Sequence, residues 1–197
     1  SKRKKKYRII LALEAAFIIV VFVGLAASGA LMTLRVYIGT EMPSETMETQ
    51  VVSFSDAAFE KAFREALSLA DDEIITNDML NSIKELDLSD KGLSNISDIE
   101  YFKELTMLNL SYNNISDISA LGNLTNLWSL DLKHNNISDI SALGNLTNLQ
   151  GLYLRDNEIS DISALGNLTN LQTLYLLGNE ISDISALRSL TNLQALN

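Results

Sequence analysis

Hydrophobic positions in the second half of the chain recur with a single period. Leu86, Leu108, Leu130, Leu152, Leu174 and Leu196 stand 22 residues apart, and Leu88, Leu110, Leu132, Leu154 and Leu176 follow two residues behind on the same spacing. Each L-x-L pair turns two side chains inward around one turned outward, which predicts a short strand with one buried face. A single unit has nothing to bury that face against. Stacked units do, so the period predicts parallel strands about 4.8 Å apart whose leucines merge into a continuous core. Between the strands the pattern holds its register: Leu105, Leu108, Leu110, Asn113, Ile115 in one unit and Leu127, Leu130, Leu132, Asn135, Ile137 in the next. Asn113, Asn135, Asn157 and Asn179 are expected to form a column where the chain leaves the strand, their amides pairing backbone groups that the turn leaves free.

Ahead of the repeats the period changes to that of a helix. Phe59, Phe63, Ala66, Leu67 and Ala70 alternate with Glu60, Lys61, Arg64 and Glu65, predicting an amphipathic helix over 54–69. Ser55 is its expected N-cap, with Phe54 and Phe59 as a hydrophobic staple. A second short helix is expected behind Thr76, stapled by Ile75 and Leu80 and continued by Ile83. Residues 53–84 then read as a helical N-terminal cap on repeats spanning 85–197.

The first third of the chain reads differently. Residues 15–34 carry no charge, and twenty residues at about 1.5 Å each span about 30 Å, the thickness of a bilayer core. That run predicts a single transmembrane helix. Lys2, Arg3, Lys4, Lys5, Lys6 and Arg8 lie on one side of it, so 1–14 is expected to be a cytoplasmic tail and everything after Arg35 extracellular. A cleaved signal peptide is the alternative, with Ser28-Gly29-Ala30 as the small residues at the cleavage site and a secreted product. Residues 35–52, acidic and holding the sole proline, Pro43, read as a flexible stalk.

Composition narrows the chemistry. The 197 residues include no cysteine and one histidine, which removes disulfides, thiol nucleophiles, the lipid-bearing cysteine of a lipoprotein and any multi-histidine metal centre. Of the 15 Lys+Arg seven precede Val36, and of the 25 Asp+Glu only Glu14 does, leaving 8 against 24 beyond it. Such a surface repels nucleic acid.

The L-x-x-L-x-L-x-x-N-x-I spacing is the signature of a leucine-rich repeat. Its second half, Ile115-Ser116-Asp117-Ile118-Ser119-Ala120-Leu121 followed by Asn123-Leu124-Thr125-Asn126-Leu127, returns almost verbatim in later units. These segments closely resemble the 22-residue repeats of bacterial internalins and related Gram-positive surface proteins, over about residues 105–196, and the two helices look similar to that family's N-terminal cap. The resemblance implies an α/β solenoid: a leucine-rich repeat horseshoe with a parallel β-sheet on its concave face, short 3₁₀ turns on its convex face and a binding surface on the concave side. Lys91 departs from the pattern, standing where later units have asparagine. No C-terminal cap is visible after Asn197, which suggests a fragment, and a membrane anchor would set this chain beside internalins proper rather than among them.

The candidate site lies where the repeat leaves residues free to vary. Outward strand positions are Met107, Asn109 and Ser111; Ser129, Asp131 and Lys133; Gly151, Tyr153 and Arg155; Thr173, Tyr175 and Leu177. Tyrosine, arginine and methionine are enriched at protein interfaces. Tyr153 and Tyr175 are expected to stack, with Arg155 and Lys133 close by, as the contact for an extracellular protein or a glycan, and Trp128 either makes a rim contact or packs partly against Thr106 and Gln150. Ordinary solvated strand variation is the competing reading, since five strands only just reach the roughly 800 Å² per partner of a standard interface. Asp117, Asp139, Asp161 and Asp183 recur every 22 residues; capping of short turns accounts for them better than Ca²⁺, which wants six to eight oxygens. His134 is expected to be a solvated imidazole, and no catalytic residue, metal or cofactor is expected. A scaffold for assembly and the targeting region of a longer protein are the remaining alternatives to a recognition protein.

Overall fold

The computed structural model describes residues 20–23, 33–37 and 48–197, with side chains from Gln50 onward. It divides into a unit of Ser1–Thr49 and a unit of Gln50–Asn197.

In the first unit the expected transmembrane helix gives way to strands. β1 (Val20–Val23) and β2 (Thr33–Tyr37) pair antiparallel, Val20 opposite Tyr37 and Val23 opposite Leu34, and β3 (Glu48–Gln50) is the third strand of that sheet. Among the described residues no helix is long and apolar enough to cross a membrane. The run of 15–34 is apolar as read, but hydropathy does not distinguish helix from strand. Val20, Val21 and Val23 are β-branched residues that favour extended backbone. The tail of 1–14, the rest of 15–34 and most of the stalk lie outside the described residues.

The second unit begins with the cap. α1 (Ala57–Leu67) and α2 (Asn77–Ser82) fall where the helical period put them. Thr76 caps α2 as expected, its Oγ1 accepting from Met79 N at 3.2 Å. The N-cap of α1 is Asp56 rather than Ser55: its Oδ1 accepts from Phe59 N at 2.8 Å, while Ser55 is turned toward the first repeat. Phe54 meets Phe59 and Phe63 edge-on at 5.3 Å each, and Phe63 meets Phe102 at 5.3 Å, so the staple becomes an aromatic cluster joining helix to solenoid.

Six parallel strands follow in chain order: β4 (Glu85–Asp87), β5 (Met107–Asn109), β6 (Ser129–Asp131), β7 (Gly151–Tyr153), β8 (Thr173–Tyr175) and β9 (Ala195–Leu196). Their register is the 22-residue period itself, Leu86 facing Leu108, Leu130, Leu152, Leu174 and Leu196 in succession. A 3₁₀ turn lies on the opposite side of each unit, at Ser97–Tyr101, Ser119–Asn123, Ser141–Asn145, Ser163–Asn167 and Ser185–Ser189. Between them the periodic leucines and isoleucines are buried; Leu110, Ile115, Leu121, Leu124 and Leu127 of one unit are wholly inaccessible. At roughly 1.5 to 3 kcal/mol for each such side chain, stacking supplies most of the stabilisation.

Two asparagine columns tie the units together. In the foreseen one, Asn135 Nδ2 donates to Leu110 O and Leu132 O, both at 3.0 Å, and its Oδ1 accepts from Ile115 N at 3.0 Å. Asn113, Asn157 and Asn179 repeat this arrangement. A second column was not legible as such: Asn126, Asn148, Asn170 and Asn192 each donate to a backbone carbonyl of the preceding unit at 2.8 to 3.0 Å. The aspartate column behaves as turn caps, the Oδ1 of Asp117, Asp139, Asp161 and Asp183 accepting from the N–H of Ser119, Ser141, Ser163 and Ser185 at 2.8 to 2.9 Å.

Candidate concave recognition surface

The L-x-L alternation that buries the leucines aims the intervening residues at the concave face. Along β5 to β8 the facing positions are Met107 and Asn109, Ser129 and Asp131, Gly151 and Tyr153, Thr173 and Tyr175. Strand pairing puts Asp131 beside Tyr153 and Tyr153 beside Tyr175. The two tyrosines meet edge to face, with ring centroids 5.3 Å apart and planes at 84°, rather than in the parallel stack that their register suggested.

Gly151 explains how Tyr153 lies. A Cβ at Gly151 would come within 3.4 to 3.5 Å of Tyr153 Cε2 and the phenol oxygen, and 3.6 Å from Ser129 Oγ. The Tyr153 ring therefore reclines over the bare backbone of its own strand, half-buried, and Tyr175 stands exposed against it. Leu177 and Trp128 are exposed too, at 50% and 44%. Trp128 lies just before β6, its backbone N–H donating to Thr106 O at 2.9 Å.

The charged residues pair with carboxylates, and Lys133 also lies over the Tyr112 ring, its Nζ 5.6 Å from the centroid. Lys133 Nζ donates to Asp131 Oδ2 at 2.8 Å, and Arg155 Nε donates to Asp156 Oδ2 at 2.9 Å. The bond to Asp131 raises the Lys133 ammonium above its ordinary value, against the opposing pull of partial burial. Asn109 bonds Ser111, whose hydroxyl donates to Asn109 Oδ1 at 2.7 Å. Ser111 is buried, so it faces inward from the surface it was expected to share.

Sequence reasoning missed two members of the site. Tyr112, exposed at 52%, stacks on His134 with centroids 4.4 Å apart and planes at 19°. His134 Nε2 lies 3.3 Å from Asp156 Oδ2, so this imidazole is packed and partnered rather than merely solvated. The periodicity held a signal for both: 112, 134 and 156 are one repeat apart, immediately after the outward positions 111, 133 and 155.

A one-sided parallel sheet, a column of buried asparagines and 3₁₀ turns on a 22-residue period define a leucine-rich repeat solenoid. The family model of leucine-rich repeats matches residues 103–145, 125–167 and 147–189. Among solved structures the chain is similar to InlF, an internalin of Listeria monocytogenes, at 43% identity and a TM-score of 0.69 over 73% of this chain. It shares its fold with InlJ of the same organism, at 22% identity and a TM-score of 0.59, again over 73% of this chain. The functional domain of InlJ includes a cysteine ladder, whereas this chain has no cysteine. The protein is thus an internalin-like leucine-rich repeat protein, as its repeats implied. It spans 43% of the InlF chain and 36% of the InlJ chain. No curated protein sequence matches it.

Proposed function

We propose that the protein is a recognition module that holds a partner protein on its concave face over β6, β7 and β8, and that it carries out no chemistry of its own. One contrast carries this reading. Ser-Ala-Leu-Gly-Asn recurs unchanged in the convex turns at Ser119–Asn123, Ser141–Asn145 and Ser163–Asn167, while the concave positions of the same units differ from one to the next. The concave residues hold an edge-to-face tyrosine pair, an exposed Leu177 and two ion pairs, the composition of an interface centre with a polar surround. The same reading puts the repeats outside the cytoplasm. Basic residues followed by the uncharged run of 15–34 are the charge order of an export signal.

The test is a binding screen of the full chain against panels of surface proteins and of glycans, repeated with Tyr153→Ala, Tyr175→Ala and Arg155→Ala. A protein ligand that binds about tenfold or more weakly to these variants, with their melting unchanged, supports the reading. A ligand indifferent to all three, or one found among the glycans alone, defeats it. Protease digestion of intact cells tests the location: shaved repeats support it, and protected repeats refute it.

A further inference from the structure

The rim of the concave face carries an arrangement that recognition by tyrosines does not use. Asp90, Tyr112, His134, Asp156 and Gly178 occupy equivalent positions after successive strands, all in the left-handed region with φ of 54°, 58°, 54°, 53° and 76°. His134 is the sole histidine of the chain. It lies between Tyr112 of the preceding unit, on which it stacks, and Asp156 of the following one. Asp156 Oδ2 is shared: Arg155 Nε approaches it at 2.9 Å and His134 Nε2 at 3.3 Å. Gly178 leaves the space that the other oxygen fills, for a Cβ there would run into Asp156 Oδ1. The carboxylate is thereby seated against the next unit, bonded by Arg155 and approached by His134.

These two neighbours of the carboxylate differ in kind. Arg155 is always charged, whereas an imidazole gains its charge between about pH 5 and 8. The charged groups around His134 are Lys133 and Asp131 from its own unit and Arg155 and Asp156 from the next, while the preceding unit contributes the neutral Tyr112 ring. Lys133 and Arg155 balance Asp131 and Asp156, so the protonation state of His134 alone decides whether the patch is neutral or positive.

We propose that His134 is a proton-operated switch on the recognition face: once protonated it draws Asp156 Oδ2 to itself, turns the patch positive and releases Arg155 to take a carboxylate of the partner protein. Neutral imidazole offers Oδ2 a weak donor or none, and Arg155 stays paired. Imidazolium carries a proton on both nitrogens, and its Nε2–H bond to the carboxylate is charge-assisted. The Arg155 side chain, half exposed, then presents its planar fork of N–H groups to the concave side. The proposal rests on the concave-face reading and adds a direction to it, with an acidic partner held more tightly as the pH falls.

The first test needs no partner. In the isotope-labelled full chain, NMR follows the His134 ring and the Arg155 Nε–H from about pH 8 to 5. The Arg155 signal is expected to shift, and to exchange faster with water, at the midpoint of the His134 titration. Both effects should disappear in His134→Asn, whose side chain tolerates left-handed backbone. An Arg155 signal that ignores the titration, or responds equally in His134→Asn, overturns the switch and leaves the concave-face reading standing. The second test adds a short oligoglutamate peptide, which is expected to perturb Arg155 and Tyr153 at the acid end only. No perturbation, or an equal one at both ends, overturns the carboxylate step. A partner unaffected by Tyr153→Ala, Tyr175→Ala and Arg155→Ala would refute the recognition reading, while the coupling of His134 to Arg155 is decided by the NMR titration alone.

Discussion

The carboxylate of Asp98 clasps Ser55 across the junction between the helical cap and the first repeat. Asp98 accepts from Ser55 N at 3.0 and 2.9 Å, from Ser55 Oγ at 2.9 Å and from Asp56 N at 2.9 Å. It is 3% exposed, the only buried charged side chain among the described residues. Its position in the 3₁₀ turn Ser97–Tyr101 corresponds to Ala120, Ala142, Ala164 and Ala186 in later units. Those units have no helix to hold.

Replacing Asp98 with the alanine of the other repeats should therefore loosen the cap. Asp98→Ala removes these charge-assisted bonds and strands two backbone N–H groups, at a cost of about 3 kcal/mol. Denaturant unfolding is expected to show that loss, with hydrogen exchange accelerated first in α1. Ala142→Asp, which puts the same carboxylate where no helix waits, should give no stabilisation.

The asparagine column makes a graded prediction. Asn135→Ala leaves Leu110 O, Leu132 O and Ile115 N without their partner in a buried place, and should cost about 2 to 4 kcal/mol. Asn179 makes equivalent bonds but is only half-buried, so water can replace part of what Asn179→Ala removes. Its melting temperature should fall less than that of the Asn135 variant.

What could be read in advance follows from what repeats. Leucine spacing determines the strand register because any other offset would expose the buried face, and Asn113 and Asp117 announce their roles by recurring. Residues that occur once give no such signal. Asp98 sits in an Asn-Ile-Ser-Asp-Ile string that imitates the later aspartate caps, yet Asn95 is the residue that caps there, its Oδ1 accepting from Ser97 N at 2.9 Å. The Tyr112–His134–Asp156 rim was obscured because its residues share a backbone conformation rather than a chemistry. The run of 15–34 misled because apolarity sets where a segment is comfortable and does not decide between helix and strand, as Val20–Val23 shows. Trp128, Tyr175 and Leu177 could be placed on the open face by counting alone; the pairing of Lys133 with Asp131 and of Arg155 with Asp156 could not.

Gly178 and Asp156 should prove coupled. Gly178→Ala places a Cβ at φ 76° and into Asp156 Oδ1, so it is expected to cost about 1 to 2 kcal/mol and to displace the carboxylate from Arg155 and His134. In an Asp156→Gly background the clash with the carboxylate vanishes, leaving the backbone cost and a tight 3.2 Å approach to the Cα of residue 156, so the penalty should shrink. Gly144→Ala is the control, since its Cβ would meet nothing closer than Ala164 O at 3.5 Å, an ordinary contact. Melting curves of the four variants decide the matter; equal penalties for Gly178→Ala in both backgrounds would show that the two residues are independent.

The convex aspartates should contribute to the acid sensitivity of the fold. Hydrogen bonds from the backbone N–H of Ser119, Ser141 and Ser185, and then from their hydroxyls, hold the carboxyls of Asp117, Asp139 and Asp183 below the ordinary aspartate range. A carboxyl depressed in the folded state stabilises it at every pH above the unfolded value, and that contribution disappears as the pH falls through the folded one. The loss should therefore develop below about pH 4. Asparagine at these positions keeps an acceptor that does not titrate, as Asn95 does for Ser97. The triple variant Asp117→Asn, Asp139→Asn, Asp183→Asn should thus show a flatter dependence of melting temperature on pH below 4 than the parent, while retaining its 3₁₀ turns near neutrality. A parent and variant whose stabilities fall in parallel with acid would mean that the turns are held by leucine packing and owe nothing to these carboxylates.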